Sequence, residues 1–188
     1  SEQDNRIIII AGANGKVTKD YIEQIKAAIL KSDYVLLQFE IPKETIVYSM
    51  ELCHKHRIPV IVNPAPAMEL DQATWEQATY ITPNETERQQ LFGNQPNEKL
   101  IITKGKQGVS FVEAGKEQEV AGHPVDVVDT TGAGDTFNGA LAVALAEGQA
   151  LTKAVTFANA AAALSVGKIG AQGGMPTRDQ VEQFLRKG

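Results

Sequence analysis

Residues 129–139 read Asp-Thr-Thr-Gly-Ala-Gly-Asp-Thr-Phe-Asn-Gly, and this stretch decides more about the fold than any other part of the chain. The valines at positions 125, 127 and 128 predict a strand that leads into the glycines, and an apolar helical pattern follows from about Asp135. Gly132 and Gly134 permit a tight turn and a close approach of the backbone to a ligand. The stretch therefore predicts a strand, a glycine turn and a helix in direct succession.

The turn at 132–134 is also a predicted anion site. A helix that begins near Asp135 directs unpaired backbone N–H groups, and the positive end of its dipole, towards the turn. Phosphate is the anion that such a site usually binds. An acid beside an anion site suggests a group that receives a proton, although Asp135 could instead be an ordinary N-cap residue of the helix.

The composition sets the size and the class of the protein. A chain of 188 residues with 43% hydrophobic content can bury one core, so we expect one domain, or a large part of one, over residues 1–188. The formal net charge of −5 argues against a surface that binds nucleic acid. The single cysteine, Cys53, rules out an internal disulfide and fits a reducing compartment. With neither a membrane-spanning stretch nor a signal peptide predicted, we expect a cytoplasmic protein with no membrane partner.

Strand and helix patterns alternate along the chain. The predicted strands lie at 7–10, 34–39, 58–62, 80–82, 100–103 and 109–113, and a hairpin returns from the last of these through Val120. The predicted helices lie at 18–29, 42–56, 71–77, 84–92, 135–147, 151–166 and 177–186. This alternation predicts an α/β fold: a doubly wound, mainly parallel sheet flanked by helices. The four consecutive isoleucines at 7–10 predict a strand that is covered on both faces.

Polar residues fall just after the predicted strands. Asn63, Asn84, Thr103 and Asp135 all occupy such positions. In doubly wound sheets ligands bind beyond the carboxyl ends of the strands. We therefore expect these four residues to share one face of the molecule.

Short motifs in the same order resemble those of the ribokinase-like, or PfkB, carbohydrate kinases. Residues 129–135 resemble the second signature of that family, residues 84–87 its Asn-x-x-Glu motif, and residues 103–108 its Thr-Lys-Gly-x-x-Gly nucleotide loop. Residues 37–42, 63–67 and 170–172 are similar to further stretches of the sugar kinases in the family. The resemblance covers nearly the whole chain and implies a ribokinase-like fold.

The resemblance implies ATP-dependent phosphoryl transfer to the primary hydroxyl of a sugar. Asp135 would contact that hydroxyl and act as the base, and the backbone of Gly132, Ala133 and Gly134 would form the anion hole with the N–H of Asp135. Glu40 would bind sugar hydroxyls, because an acid at the end of a buried strand is costly to desolvate without a partner. An exposed strand end is the alternative. D-ribose is the favoured acceptor, and fructose-type sugars and nucleosides remain possible.

The resemblance also implies a site for ATP and Mg²⁺. Six residues would border the nucleotide together with Gly134: Asn84, Thr103, Lys104, Gly105, Gly108 and Asn159. Glu87 would hold Mg²⁺, which keeps several waters and shares the phosphates. On geometry alone a capping box between Asn84 and Glu87 is the simpler reading. Lys104 could be a solvated charge, and Asn159 could form a hydrogen bond between helices instead.

A second cation site is implied beside the glycine turn. Asp129 and Thr131, together with the loop that begins at Ser165, resemble a site for a monovalent cation, with K⁺ as the expected ion. The loop positions that match it are Ser165, Lys168, Gly170 and Gly174. Most ligands in such a site would be backbone carbonyls.

The chain departs from the family in one respect. Members carry a substantial N-terminal part with a Gly-Gly sugar-binding motif and a small β-sheet lid, through which they often form homodimers; no such motif precedes Ile7. Residues 1–188 are therefore expected to be the C-terminal, nucleotide-binding and catalytic part of a ribokinase-like domain, without the lid. Two other hypotheses remain: a catalytically silent nucleotide-binding module, or a non-enzymatic subunit that uses the sheet edge near Ile7.

Overall fold

Helices and strands alternate from residue 19 to residue 103, as the sequence pattern predicts. The structure is a computed structural model that describes residues 11–187, so the strand predicted at residues 7–10 lies outside the described residues. The helices in chain order are α1 (Lys19–Ile29), α2 (Lys43–Lys55), α3 (Gln72–Glu76), α4 (Glu85–Phe92), α5 (Ala133–Ala146), α6 (Leu151–Ser165) and α7 (Arg178–Lys187). The strands are β1 (Val35–Gln38), β2 (Val60–Asn63), β3 (Tyr80–Ile81), β4 (Ile101–Thr103), β5 (Gly108–Glu113) and β6 (Lys116–Ala121).

The strands form a parallel group and an antiparallel group that meet at β3 and β4. Strands β1, β2 and β3 pair in parallel, in that order. Strands β4, β5 and β6 pair antiparallel, and β5 and β6 are the predicted hairpin. Parallel bridges from Ile81 to Leu100 and from Asn84 to Thr103 join the two groups. The predicted α/β fold with a parallel sheet flanked by helices is confirmed.

The central strand explains why helices lie on both faces of the sheet. Val60, Ile61 and Val62 are all completely buried. Because side chains alternate along a strand, Val60 and Val62 belong to one apolar core and Ile61 to the other. The first core includes Ile46 of α2, and the second includes Leu141 of α5. An apolar run that is buried on both faces is typical of parallel strands.

The segment that leads into the glycine turn differs from the prediction. Residues 122–128 form no strand. Two backbone hydrogen bonds hold the end of this segment to Val166, the residue that follows α6. The N–H groups of Val128 and Asp129 donate to the carbonyl of Val166 at 2.8 and 3.1 Å. Val127 and Val128 are 61% and 57% exposed. The β-branched residues of this segment therefore do not belong to a buried strand of the sheet.

Helix α5 begins two residues earlier than predicted. Its first residue is Ala133 and its N-cap is Gly132, which has a left-handed backbone conformation with φ of 80°. Asp135 is therefore inside the first turn and is not the N-cap residue. Among residues 11–187, no helix combines the length and the apolar character that crossing a membrane requires.

Candidate active site

A cleft of about 1070 Å³ opens beside the carboxyl ends of the parallel strands. Asn63, Asn84, Thr103 and Asp135 all line it, so the four polar residues that the sequence places after strands do share one face. Its volume is at the upper end of the roughly 300–1,000 Å³ usual for small-molecule sites.

The first turn of α5 presents free backbone donors to this cleft. Gly134 and Asp135 line the cleft and are exposed, and within the described residues no acceptor receives their N–H groups. The N–H of Ala133 donates to the carbonyl of Thr130 at 3.2 Å. The predicted contribution of the Ala133 N–H to an anion hole is therefore wrong for this conformation, and two free donors remain in the turn. They lie at the positive end of the helix dipole, where an anion is favoured.

The turn before α5 needs glycine for a packing reason as well as a conformational one. A Cβ atom at Gly132 would lie 2.7 Å from the carbonyl oxygen of Ala171. A Cβ atom at Gly174 would lie 1.8 Å from the carbonyl oxygen of Ser165. The loop after α6 (residues 166–177) thus packs backbone to backbone against the glycine turn.

Asp129 joins the same loop to the same turn. Its Oδ1 accepts the N–H of Thr131 at 2.9 Å, and its Oδ2 accepts the N–H of Gly170 at 2.9 Å. Hydrogen bonds from the Thr131 side chain, the Gly170 N–H and the Thr131 N–H lower the pKa of Asp129 to about 2. Asp129 is therefore a carboxylate at neutral pH.

Of the other positions predicted for the monovalent cation, Thr131 and Gly170 contact this carboxylate, and none of the predicted positions lines the cleft. Ser165 is buried, and its hydroxyl donates to the carbonyl of Ala162 at 2.8 Å. Lys168 is exposed. Its ammonium group is a cation with no acceptor atom, so only its carbonyl suits a cation. Among residues 11–187, no three His, Cys, Asp or Glu side chains are grouped in a way that could hold a metal ion.

The N-terminal turn of α4 is closed by its own side chains. Asn84 Oδ1 accepts the N–H of Glu87 at 2.8 Å, and Glu87 Oε2 accepts the N–H of Asn84 at 2.8 Å. This is the capping box that the spacing predicts. Both residues also line the cleft. Burial raises the pKa of Glu87, and the hydrogen bond from the Asn84 backbone lowers it by less.

The glycine loop after β4 lies along the cleft, apart from Lys104. Thr103, Gly105 and Gly108 line the cleft, and a Cβ atom at Gly108 would lie 2.0 Å from the carbonyl oxygen of Val120. Lys104 instead forms an ion pair with Glu119 at 3.0 Å and is not among the cleft residues. Lys106, which was not predicted as a site residue, lines the cleft.

Asn159 lies in the cleft and also makes a structural hydrogen bond. It is buried on α6, and its Nδ2 donates to the carbonyl of Ala121 at 2.9 Å. The small side chains of Ala162 and Ala163 line the cleft beside it. The expected hydrogen bond is therefore present, although it joins α6 to the end of β6 rather than to another helix.

Glu40 lies outside the cleft in this structure. Its side chain is exposed and accepts a hydrogen bond from Asn14 Nδ2 at 3.3 Å. The expectation of a buried, desolvated carboxylate is therefore wrong, because β1 ends at Gln38, two residues before Glu40. Gln38 lines the cleft instead.

A buried polar pair in the cleft wall, Thr82 and Asn138, was not predicted from the sequence. Asn138 Oδ1 accepts the hydroxyl of Thr82 at 2.6 Å, and its Nδ2 donates to the carbonyl of Gly134 at 2.9 Å. The available signal was an asparagine inside an otherwise apolar helical stretch, where a hydrophobic residue is the usual choice. No pattern in the sequence indicates that Thr82 is its partner.

Comparisons with known proteins agree with this geometry. The profile of the pfkB family carbohydrate kinases matches residues 1–178. The ribokinase of Bacillus subtilis (strain 168) is 50% identical over 193 residues, which cover 98% of this chain and 66% of the relative. The chain thus spans just under two thirds of the length of this relative.

Solved structures give the same result. The crystal structure of a Thermotoga maritima ribokinase is similar with a TM-score of 0.83 and 40% identity, over 97% of this chain and 66% of that one. The structure of Arabidopsis thaliana ribokinase complexed with ribose and ATP is similar with a TM-score of 0.84 and 31% identity, over 98% of this chain and 66% of that one.

Proposed function

The chain belongs to the pfkB family of carbohydrate kinases, and on that premise we propose that it transfers the γ-phosphoryl group of ATP to the primary hydroxyl of D-ribose. One observation carries the proposal: the carboxylate of Asp135 and two free backbone N–H groups occupy the same helical turn at the cleft. A base and an anion site in that arrangement are what phosphoryl transfer requires of a protein.

Different residues of the chain have different roles in the proposed reaction. The ribose hydroxyl oxygen forms a bond to the γ-phosphorus while the bond from that phosphorus to the β–γ bridging oxygen breaks, so ADP leaves. Asp135 receives the hydroxyl proton. The N–H groups of Gly134 and Asp135, on the turn that Gly132 and Ala133 shape, stabilise the negative charge that spreads over the transferred group.

The nucleotide extends along the cleft from this turn. We place its phosphates against Asn84, Thr103, Gly105 and Gly108, because these residues line the cleft and glycine lets the backbone approach closely. Asn159 borders the base on the opposite side, where small side chains leave room for a flat ring. Lys104 can contribute only through its backbone while its ammonium group stays with Glu119.

Glu87 is the residue of the chain that suits Mg²⁺. One of its carboxylate oxygens is used by the capping box, and the other accepts no hydrogen bond from the described residues. Carboxylate, water and phosphate oxygens are the ligands that Mg²⁺ prefers. Bound there, the ion would neutralise phosphate charge.

We assign the monovalent cation, with K⁺ as the expected ion, to the joint between the glycine turn and the loop after α6. The support is the oxygen-rich backbone packing there, next to the carboxylate of Asp129. The proposed positions are Asp129, Thr131, Ser165, Lys168, Gly170 and Gly174. An ion at this joint would fix the turn without taking part in the transfer.

Ribose as the acceptor rests on the relatives and on Glu40. The Bacillus subtilis relative is a ribokinase, and the Arabidopsis thaliana structure contains ribose and ATP. Glu40 is two residues beyond the end of β1 and would have to turn towards the cleft to bind sugar hydroxyls. We further propose that the protein acts in the cytoplasm and forms a homodimer.

The proposal is tested by following ADP release from the intact protein with ATP, Mg²⁺ and a panel of acceptors: D-ribose, D-fructose and adenosine. We expect ribose to give a kcat/KM about tenfold or more above the others, about 1.4 kcal/mol in transition-state binding. Glu40→Gln should raise the KM for ribose while the KM for ATP stays unchanged. A tenfold preference for another acceptor would contradict the choice of ribose.

A second function, nucleotide binding without catalysis, is favoured by the position of Glu40, which is exposed and does not line the cleft. A cleft that binds ATP without a residue placed to bind the sugar hydroxyls would bind nucleotide without turnover. Calorimetry with ATP and the ADP-release assay together distinguish the two functions. ATP binding with no ribose-dependent ADP release supports the silent module, and ribose-dependent ADP release supports the kinase.

A further inference from the structure

We infer that Thr82 and Asn138 are positioning residues that hold the open turn of α5 in place from the end of β3. The inference rests on the proposed function, because it concerns the turn that carries the predicted base. Neither residue was predicted from the sequence to have a role, and neither needs to touch the sugar or the nucleotide to act in this way.

The link is a continuous path of side-chain hydrogen bonds. The Thr82 hydroxyl donates to Asn138 Oδ1 at 2.6 Å, and Asn138 Nδ2 donates to the carbonyl of Gly134 at 2.9 Å. On the other side, Asn63 Nδ2 donates to the carbonyl of Thr82 at 3.0 Å. The path therefore runs from the end of β2, past β3, into the first turn of α5.

Burial makes this path rigid. Thr82 is 1% exposed and Asn138 is 3% exposed. A buried amide that lost its partners would leave unsatisfied polar atoms, which is unfavourable in an apolar interior. Asn138 stands in a helix interior, where asparagine is a poor helix former. A leucine would suit the helix and its apolar core better, so the amide needs a reason beyond helix formation.

The acceptor at the end of the path supplies that reason. Gly134 and Asp135 present their N–H groups to the cleft, and the carbonyl of Gly134 is the group that Asn138 holds. The carbonyl of Gly134 and the N–H of Asp135 belong to one planar peptide unit, so fixing that carbonyl fixes the direction of the Asp135 N–H. Since small displacements of aligned groups can reduce rates by about 10²-fold, the path would act on the transfer step rather than on ATP binding.

The path also joins the two helix ends at the cleft. Thr82 is followed by Pro83, whose carbonyl accepts the N–H of Thr103, and then by Asn84 of the α4 capping box. The closed turn of α4 and the open turn of α5 thus share one anchor at the end of β3.

The test compares Thr82→Val with Thr82→Ser in the intact protein. The valine has the shape of threonine but no hydroxyl, and the serine keeps the hydroxyl without the methyl group. We expect the valine variant to lower kcat about tenfold or more with the KM for ATP within about twofold, and the serine variant to stay within about threefold of the parent. Amide hydrogen exchange at residues 136–138 should speed up in the valine variant alone.

A purely structural role would give a different result. Both variants would then lower the melting temperature, and kcat per folded molecule and exchange at 136–138 would be equal in the two; that result overturns the inference. If Thr82→Val does not fold, Asn138→Asp replaces it: the carboxylate keeps the acceptor for Thr82 and loses the donor to Gly134, with the same kcat and exchange effects expected. If the parent protein shows no turnover, the proposed function fails, and the exchange comparison still decides the positioning role.

Discussion

The N-terminal turns of α4 and α5 line the same cleft and are completed in opposite ways. In α4 the side chains of Asn84 and Glu87 receive each other's backbone N–H groups at 2.8 Å. In α5 the N-cap is Gly132, which has no side chain to offer, and within residues 11–187 the N–H groups of Gly134 and Asp135 have no acceptor.

The closed turn of α4 uses its backbone donors to stabilise the fold, whereas the open turn of α5 keeps its donors for a ligand. A capped turn uses its donors within the protein and gains about 1 kcal/mol for it. An open turn gives up that stabilisation and keeps its donors for an anion. The open turn of α5 is held instead by its surroundings: Asp129, the loop after α6 and the Thr82–Asn138 path.

The largest expected effect comes from the acid in the open turn. Asp135→Asn should lower kcat by about 10³-fold, because an amide cannot receive the hydroxyl proton and general bases contribute about 10²- to 10⁴-fold. Steady-state kinetics with ATP and ribose measure this, and ATP affinity by calorimetry is the control that should change little. A loss below tenfold would show that the open turn serves binding alone.

The next prediction concerns the shape of the open turn. Gly132→Ala should lower the free energy of unfolding by about 2 kcal/mol, because a left-handed non-glycine residue is strained and its Cβ would meet the Ala171 carbonyl. Gly134→Ala is the matched control, since no atom lies within 4 Å of a Cβ there, and it should stay within about 0.5 kcal/mol. Urea unfolding measures both; equal losses would contradict the argument.

A smaller effect is expected at the closed turn. Asn84→Ala should lower the free energy of unfolding by about 1 kcal/mol through loss of the N-cap, whereas Asn84→Asp keeps the acceptor for Glu87 N–H and should retain most of it. Thermal and urea unfolding check the pair. If the alanine variant matched the parent, the capping box would not be what stabilises the start of α4.

The smallest effect is expected from the charge that joins the loop to the open turn. The pKa of Asp129 is lowered to about 2 in the folded protein, from about 3.9 in an unfolded chain. Its stabilisation is therefore present above about pH 4 and is lost as the pH falls through about 2. Asp129→Asn should lower the melting temperature slightly at pH 7, with the difference from the parent vanishing towards pH 2. A difference that is independent of pH would mean that the charge of Asp129 is not involved.

Much of the fold follows from local signals in the sequence. The pattern predicts α6 at 151–166, and it spans Leu151–Ser165; the capping box at Asn84 is also where its spacing predicts. These features depend on residues a few positions apart, so sequence patterns record them. The prediction of a strand before Gly132 was wrong. β-branched residues favour extended backbone in general, and only pairing with a neighbouring strand would make the segment part of a sheet.

The candidate site likewise has features that local sequence predicts and features that depend on tertiary packing. The glycine turn, the acid inside it and the order of the motifs are properties of the sequence, because they depend on bonded neighbours and on the backbone conformations that glycine allows. Tertiary structure alone decided that Thr82 meets Asn138 across 56 positions, that Lys104 turns to Glu119 and that Glu40 is exposed. Those outcomes depend on how distant segments pack, and one-dimensional spacing does not encode the distance between such segments.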